Sequence, residues 1–207
     1  MKIIAAILIC IIAFECVAFE FVTGDLLFQT EGQSAMSEAI TKSTRHDEIS
    51  YVHAAIAWVG KNGDVTIVEA SPKEGVHCIA LDEFLSSSPS IDGKPGVVVM
   101  RLKEYLQADE AVERAVGHLG EPYDWYYLPN NGRMYCTELI YEAYLDAEGR
   151  HIFQSKPMIF RAPDGSMPEF WTDLFERLGS EIPEGISGTN PNDMARDAQL
   201  IEVFRYF

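Results

Sequence analysis

The stretch "YVHAAIAWVGKNGDVTIVEA" (Tyr51–Ala70) decides how this chain folds. Two runs of β-branched, aromatic and small apolar residues flank a turn carrying Asn62-Gly63, which predicts an antiparallel hairpin of Tyr51–Val59 with Asp64–Ala70. Each run holds one group foreign to an apolar strand, His53 in the first and Glu69 at the end of the second. Whether they meet depends on register, because a shift of one residue moves a side chain to the other face. A two-residue Asn62-Gly63 turn pairs Lys61 with Asp64, sets Glu69 opposite Ile56 and separates it from His53. A three-residue Lys61-Asn62-Gly63 loop pairs Gly60 with Asp64, sets Glu69 opposite Ala55 and makes it a same-face diagonal neighbour of His53. The turn chemistry accepts both.

Outward from the hairpin, Thr23–Thr30 reads as a strand, Gln33–Ser43 as a helix and Val76–Leu81 as a strand. "SSSPSIDGKPG" (Ser86–Gly96) reads as a loop, Val97–Leu102 as a strand, Ala108–Leu119 as a helix and Gln199–Tyr206 as a last strand. Strands cluster ahead of a second helical stretch instead of alternating with helices, so the class is α+β. That stretch follows "RMYC" (Arg133–Cys136): Cys136, Leu139, Ile140, Ala143, Tyr144 and Ala147 recur at helical spacing and end before Gly149. Cys136 stands in its first turn, where free N–H groups and the positive dipole end favour a thiolate. A core cysteine at the head of an apolar stripe has the same pattern, so a nucleophile also requires a base.

Of five histidines, His53 is the candidate base, lying among Ala54, Ala55 and Ala57, which allow a helix end to approach. His77 in "GVHCIAL" is the rival, while His46, His118 and His151 lie in polar or helical surroundings. Glu69 is the candidate acceptor for the other ring nitrogen of His53. A metal site from His46, Asp47, Glu48 and His53 lacks the spacing that converges ligands, and neither a metal nor a cofactor is expected.

The opening "MKIIAAILICIIAFECVA" reads as a signal peptide over 1–18 with cleavage after Ala18, giving a secreted or periplasmic domain over 19–207. Membrane contact is then expected only through an uncleaved N-terminus. Beyond Ala18 the chain has 15 basic and 31 acidic residues, a net charge of −16, which disfavours nucleic acid as a partner. Cys78 and Cys136 are the cysteines of that stretch and are read as free thiols. A monomer is expected.

With Cys136, His53 and Glu69 singled out, the chain resembles the permuted papain-like amidases of the YiiX type, relatives of the NlpC-type cell-wall peptidases. The resemblance rests on "GDLLF" (Gly24–Phe28), the histidine strand, "VEAS" with "GV" (Val68–Ser71, Gly75-Val76), "LGEPYD" (Leu119–Asp124), "YCTEL" (Tyr135–Leu139) and "TNPNDMA" (Thr189–Ala195). Papain-like enzymes ordinarily run cysteine, histidine, then polar third residue; here histidine and glutamate precede the cysteine. The resemblance implies a circularly permuted papain-like fold, an antiparallel sheet or barrel packed against helices. It also implies Cys136 as nucleophile, His53 as base and acid, and Glu69 as orienter, acting on an amide-containing substrate through an acyl-enzyme. The Cys136 N–H and a hydroxyl of Tyr135 or Tyr123 would then hold the oxyanion, and Asp124–Arg133 would line the cleft. A lipid acyl-amide hydrolase or acyltransferase, and a non-catalytic binding module, are the competing readings.

Overall fold

The computed structural model describes residues 19–207, so the expected signal peptide over 1–18 lies outside the described residues. In chain order the elements are β1 (Leu26–Thr30), α1 (Ala35–Thr44), β2 (Tyr51–Val59), β3 (Val65–Ser71), β4 (Gly75–Ala80), α2 (Leu81–Ser87), β5 (Ser90–Ile91), β6 (Lys94–Pro95) and β7 (Val97–Leu102). They continue with α3 (Ala108–Gly117), α4 (Cys136–Ala143), β8 (Lys156–Pro157), α5 (Glu169–Leu178), β9 (Ser187–Gly188), α6 (Pro191–Ala195) and β10 (Leu200–Arg205). Six strands form one antiparallel sheet in the order β10-β7-β1-β2-β3-β4, and β5 with β6 and β8 with β9 make separate two-stranded pairs. Among the described residues no helix is long and apolar enough to cross a membrane.

The strands read as near-continuous apolar runs because both sheet faces are covered. Leu26, Phe28, Ala54, Ile56, Val68 and Ala70 face the larger core with the α3, α4 and α5 side chains. Leu27, Ala55, Ala57, Ile67, Val97 and Val99 face a second core closed by Phe21 and Phe84. Just before β1, the fully buried Asp25 accepts two bonds from Arg101 of β7, at 2.6 and 2.8 Å. The pair is matched fork to fork, as burial of a carboxylate requires.

Several boundaries differ from the sequence reading. The helix headed by Cys136 stops at Ala143, because Tyr144 turns extended, buries its ring fully and donates its hydroxyl to the Gly24 carbonyl at 2.9 Å. The segment 86–96 is not all loop: α2 reaches Ser87, and β5 and β6 close around Asp92-Gly93, both at positive φ. The helix α5 went unread, although Phe170, Trp171, Leu174, Phe175 and Leu178 recur at helical spacing and pack on the larger core.

Two of the quoted motifs have structural reasons. Gly75 starts β4 at φ +71°, with a Cβ position only 2.2 Å from the Glu121 carbonyl oxygen, and Val76 and Gly120 bond across this approach at 2.9 Å. The "TNPNDMA" run is a capped helix start: Asn190 accepts from the Asp193 N–H at 2.9 Å and Pro191 opens α6. Its buried Asn192 bonds both the N–H and the carbonyl of Tyr51, at 2.7 and 3.0 Å, so α6 continues the hydrogen bonding of β2 where β1 bulges away.

Candidate active site

The hairpin settles the register. Ile56 pairs with Val68 and Val59 with Val65, the Gly60 N–H donates to Asp64 at 2.8 Å, and Gly63 at φ +85° donates back to Gly60 at 2.9 Å. This is the three-residue loop, and its ladder continued by one step sets Glu69 beside Ala55, diagonal to His53. The side chains meet: His53 Nε2 hydrogen-bonds Glu69 Oε2, with side-chain exposures of 14 and 9%. A carboxylate only accepts, so Nε2 carries a proton.

At the other side of the ring stands Cys136, the first residue of α4, 6% exposed. Leu139, Ile140 and Ala143 anchor the helix in the core, which fixes where its N-terminus points. Burial works against a charged His53, but the Glu69 carboxylate outweighs it, helped by the Cys136 sulfur through hydrogen bonding and charge, and the imidazole is raised from its ordinary 6.5 to about 10. Burial likewise opposes the charge on Glu69, and the His53 and His77 rings overcome it, holding the carboxyl below its usual range. His53, Glu69 and Cys136 are thus gathered from β2, β3 and α4.

The remaining histidines are placed elsewhere. His46 pairs with Asp193 and His118 with Glu121, each at 3.0 Å, and His151 Nδ1 bonds the Tyr141 carbonyl at 2.9 Å. With Asp47 held by Arg196 at 2.9 Å, the sequence-derived quartet His46, Asp47, Glu48 and His53 does not converge. His77, the rival base, lies on the far side of Glu69, its Nε2 3.2 Å from Oε1.

The two candidate oxyanion tyrosines differ. Tyr135 is the N-cap residue of α4 and lines the cavity beside Cys136, its hydroxyl accepting from the Thr189 N–H at 3.0 Å and lying 3.9 Å from the Met158 sulfur. Tyr123 lies between the two halves of the site, lining both the open cleft over His53 and Glu69 and the apolar cavity beside Cys136. From Asp124–Arg133, expected to line the cleft, Tyr127 reaches that cavity. The segment is held by the fully buried Asp124, which accepts from the Tyr126 and Leu128 N–H groups and Asn131 Nδ2 at 2.8–2.9 Å. Met158, Ile159, Phe160 and Trp171 complete the cavity wall. Trp171 was missed by sequence reasoning, although the helical spacing of its neighbours was the available signal.

Glu138, two residues after the cysteine, accepts from the Tyr135 N–H at 3.3 Å. Burial, with Asp124, Glu142 and Glu121 nearby, lifts its carboxyl from 4.5 to about 8 despite that bond. Between those values the folded chain keeps a proton that the unfolded chain has released, so stability falls as pH rises through this window and the full cost is present above it. Glu138→Gln keeps an acceptor and removes the titration. It is expected to melt about 5 °C above the parent at pH 9, for about 2 kcal/mol, and level with it near pH 5. A difference independent of pH in thermal melts would show that Glu138 is not held neutral.

Comparison with known proteins agrees with the fold. The protein YiiX of Escherichia coli (strain K12), itself uncharacterised, is 26% identical over 201 residues, covering 95% of this chain and 93% of its own. The crystal structure of the metalloprotein yiiX from Escherichia coli O157:H7 superposes with a TM-score of 0.72 at 26% identity, covering 90% of this chain and 98% of that one. The model of the permuted papain-like amidases matches residues 20–204, and the chain belongs to that family, YaeF/YiiX, C92.

Proposed function

We propose that this protein is a cysteine amidase in which Cys136 is the nucleophile, His53 the base and acid, and Glu69 the residue that orients the ring. The observation that carries the reading is the His53 imidazole set between Glu69 and Cys136 at the head of α4. In acylation the Cys136 sulfur, its proton already carried by the His53 imidazolium, bonds to the amide carbonyl carbon while the carbonyl π pair moves onto oxygen. The oxyanion takes the Cys136 N–H, which lacks an acceptor within its helix, and the Tyr123 hydroxyl. His53 then returns the proton to the amide nitrogen, the C–N bond breaks and the amine leaves. In deacylation His53 takes a proton from water, the hydroxide bonds to the thioester carbon, and the acid departs as the sulfur regains its proton.

The apolar cavity beside the sulfur bears on the substrate. Its volume is about 40 Å³, the smallest of the cavities described. That suits a short apolar side chain on the acyl side, as in a cell-wall peptide, better than a long acyl chain. The Escherichia coli O157:H7 relative is described as a metalloprotein. Here His53 Nε2 is bonded to Glu69, His77 Nε2 lies 3.2 Å from the other Glu69 oxygen, and among the described residues no group of three or more His, Cys, Asp or Glu side chains is arranged to hold an ion. As placed, these residues do not fit a metal.

Intact-mass analysis after acid quenching, on a panel of muropeptides, N-acyl amino acids and acyl lipids, tests the reading. A peptide substrate is expected to leave its acyl mass on Cys136, with no adduct on Cys136→Ala. Turnover by folded Cys136→Ala would overturn the mechanism, and an adduct from a long-chain acyl lipid would replace the peptide reading with the lipid one.

A further inference from the structure

Glu69 has two oxygens and serves two histidines. Oε2 bonds His53, and Oε1 lies 3.2 Å from Nε2 of His77, its direct cross-strand partner on β4. The other nitrogen of His77, Nδ1, faces the Gly75 carbonyl at 3.0 Å. A carbonyl only accepts, so Nδ1 carries a proton, and the contact of Nε2 with a carboxylate is attractive only when Nε2 carries one as well. Attraction between this ring and Glu69 therefore requires protons on both of its nitrogens. The nearby charges suit that state: Glu74, in the turn before β4, has Oε2 3.9 Å from the same nitrogen. From the segment bonded to Val76, Glu121 and His118 pair with each other at 3.0 Å. The ring is largely buried, 17% exposed, and its approach is set by the β3–β4 ladder and by the tight contact at Gly75.

We propose that His77 is a positioning residue of this site: it holds the second oxygen of Glu69 so that the first stays on His53, and it draws part of the carboxylate charge away from His53. The first role fixes the plane of Glu69, which otherwise turns about its terminal bond. The second restrains how strongly Glu69 favours the His53 imidazolium, whose Nδ1 proton must leave the ring when the amine departs. Both roles rest on the amidase reading for their catalytic meaning, while the contact itself does not.

Two variants separate the roles. His77→Gln places an amide N–H near the position of Nε2 without the charge, and His77→Leu keeps bulk without a donor. The measurements are the far-downfield Nε2 proton and the ring titration of His53, by NMR on histidine-labelled protein, and the rate of Cys136 alkylation by iodoacetamide at pH 7, by peptide mass. His77→Gln is expected to keep the downfield proton, to shift the His53 midpoint up by about half a pH unit through loss of the neighbouring cation, and to retain most of the alkylation rate. His77→Leu is expected to lose the proton signal and to slow alkylation about tenfold. Wild-type spectra and rates in both variants would overturn the proposal, as would equal losses in both, which mark a packing role. Alkylation of the parent that is indifferent to His53→Ala would instead overturn the amidase reading, and the NMR signals would still decide whether His77 positions Glu69.

Discussion

Cys136→Ala and His53→Ala are each expected to reduce hydrolysis at least about 10⁴-fold, down to what substrate binding and the oxyanion donors provide alone. The two side chains share one covalent step, so the double variant is expected to be no slower than either single one. Glu69→Gln should cost about 10- to 100-fold, because the amide keeps a partner for His53 and loses the charge that steadies the imidazolium. None of this should come from unfolding: Cys136 loses one atom to alanine at the edge of the core, for about 1 kcal/mol or less in chemical denaturation. Steady-state rates on the substrate found by acyl trapping check the series. Additive losses, or a Cys136→Ala variant with residual turnover above that of His53→Ala, would show that the two groups do not act as one unit.

The largest effect on stability is expected at Gly75. Gly75→Ala meets the Glu121 carbonyl oxygen at 2.2 Å and the Pro122 Cα at 3.0 Å, backbone atoms that cannot rotate aside, at a φ of +71° that strains any residue with a Cβ. The left-handed conformation costs about 1–2 kcal/mol, and forcing β4 from residues 120–122 brings the total to about 3 kcal/mol or more, a fall of about 10 °C in Tm. Gly63→Ala is the control. It has a similar φ of +85°, but nothing lies within 4 Å of its Cβ position, so only the conformational part, about 1 kcal/mol, should appear. Equal losses in the two variants would mean that the approach of β4 to Glu121 does not matter. The contact carries function too, because residues 120–122 lead into Tyr123 and β4 carries His77.

The strands, the Cys136 helix and the chain order were legible in the sequence, and so was the pairing of His53 with Glu69 as a choice between two registers. The choice was not legible because Ala54, Ile56, Val68 and Ala70 are buried on one face and Ala55, Ala57 and Ile67 on the other. With both faces apolar, periodicity no longer says which side is in, and Asn62-Gly63 fits either turn. Burial of Tyr144 overrode a helical stripe that looked continuous to Ala147. His77 read as a competitor of His53 because sequence shows the residue type and not the far side of Glu69, which the β3–β4 register determines.

His53 and Glu69 lie sixteen positions apart on one hairpin, while the nucleophile arrives from a helix far along the chain. In heredity that division has a consequence. A gene can be cut and rejoined between the two segments, reversing which is translated first, and the proton-handling pair still travels as one inherited block. Only the link that brings the helix back to the hairpin has to be remade. A reordering of that kind is therefore nearly invisible to the chemistry, and an exchange of genetic material inside residues 51–71 would not be.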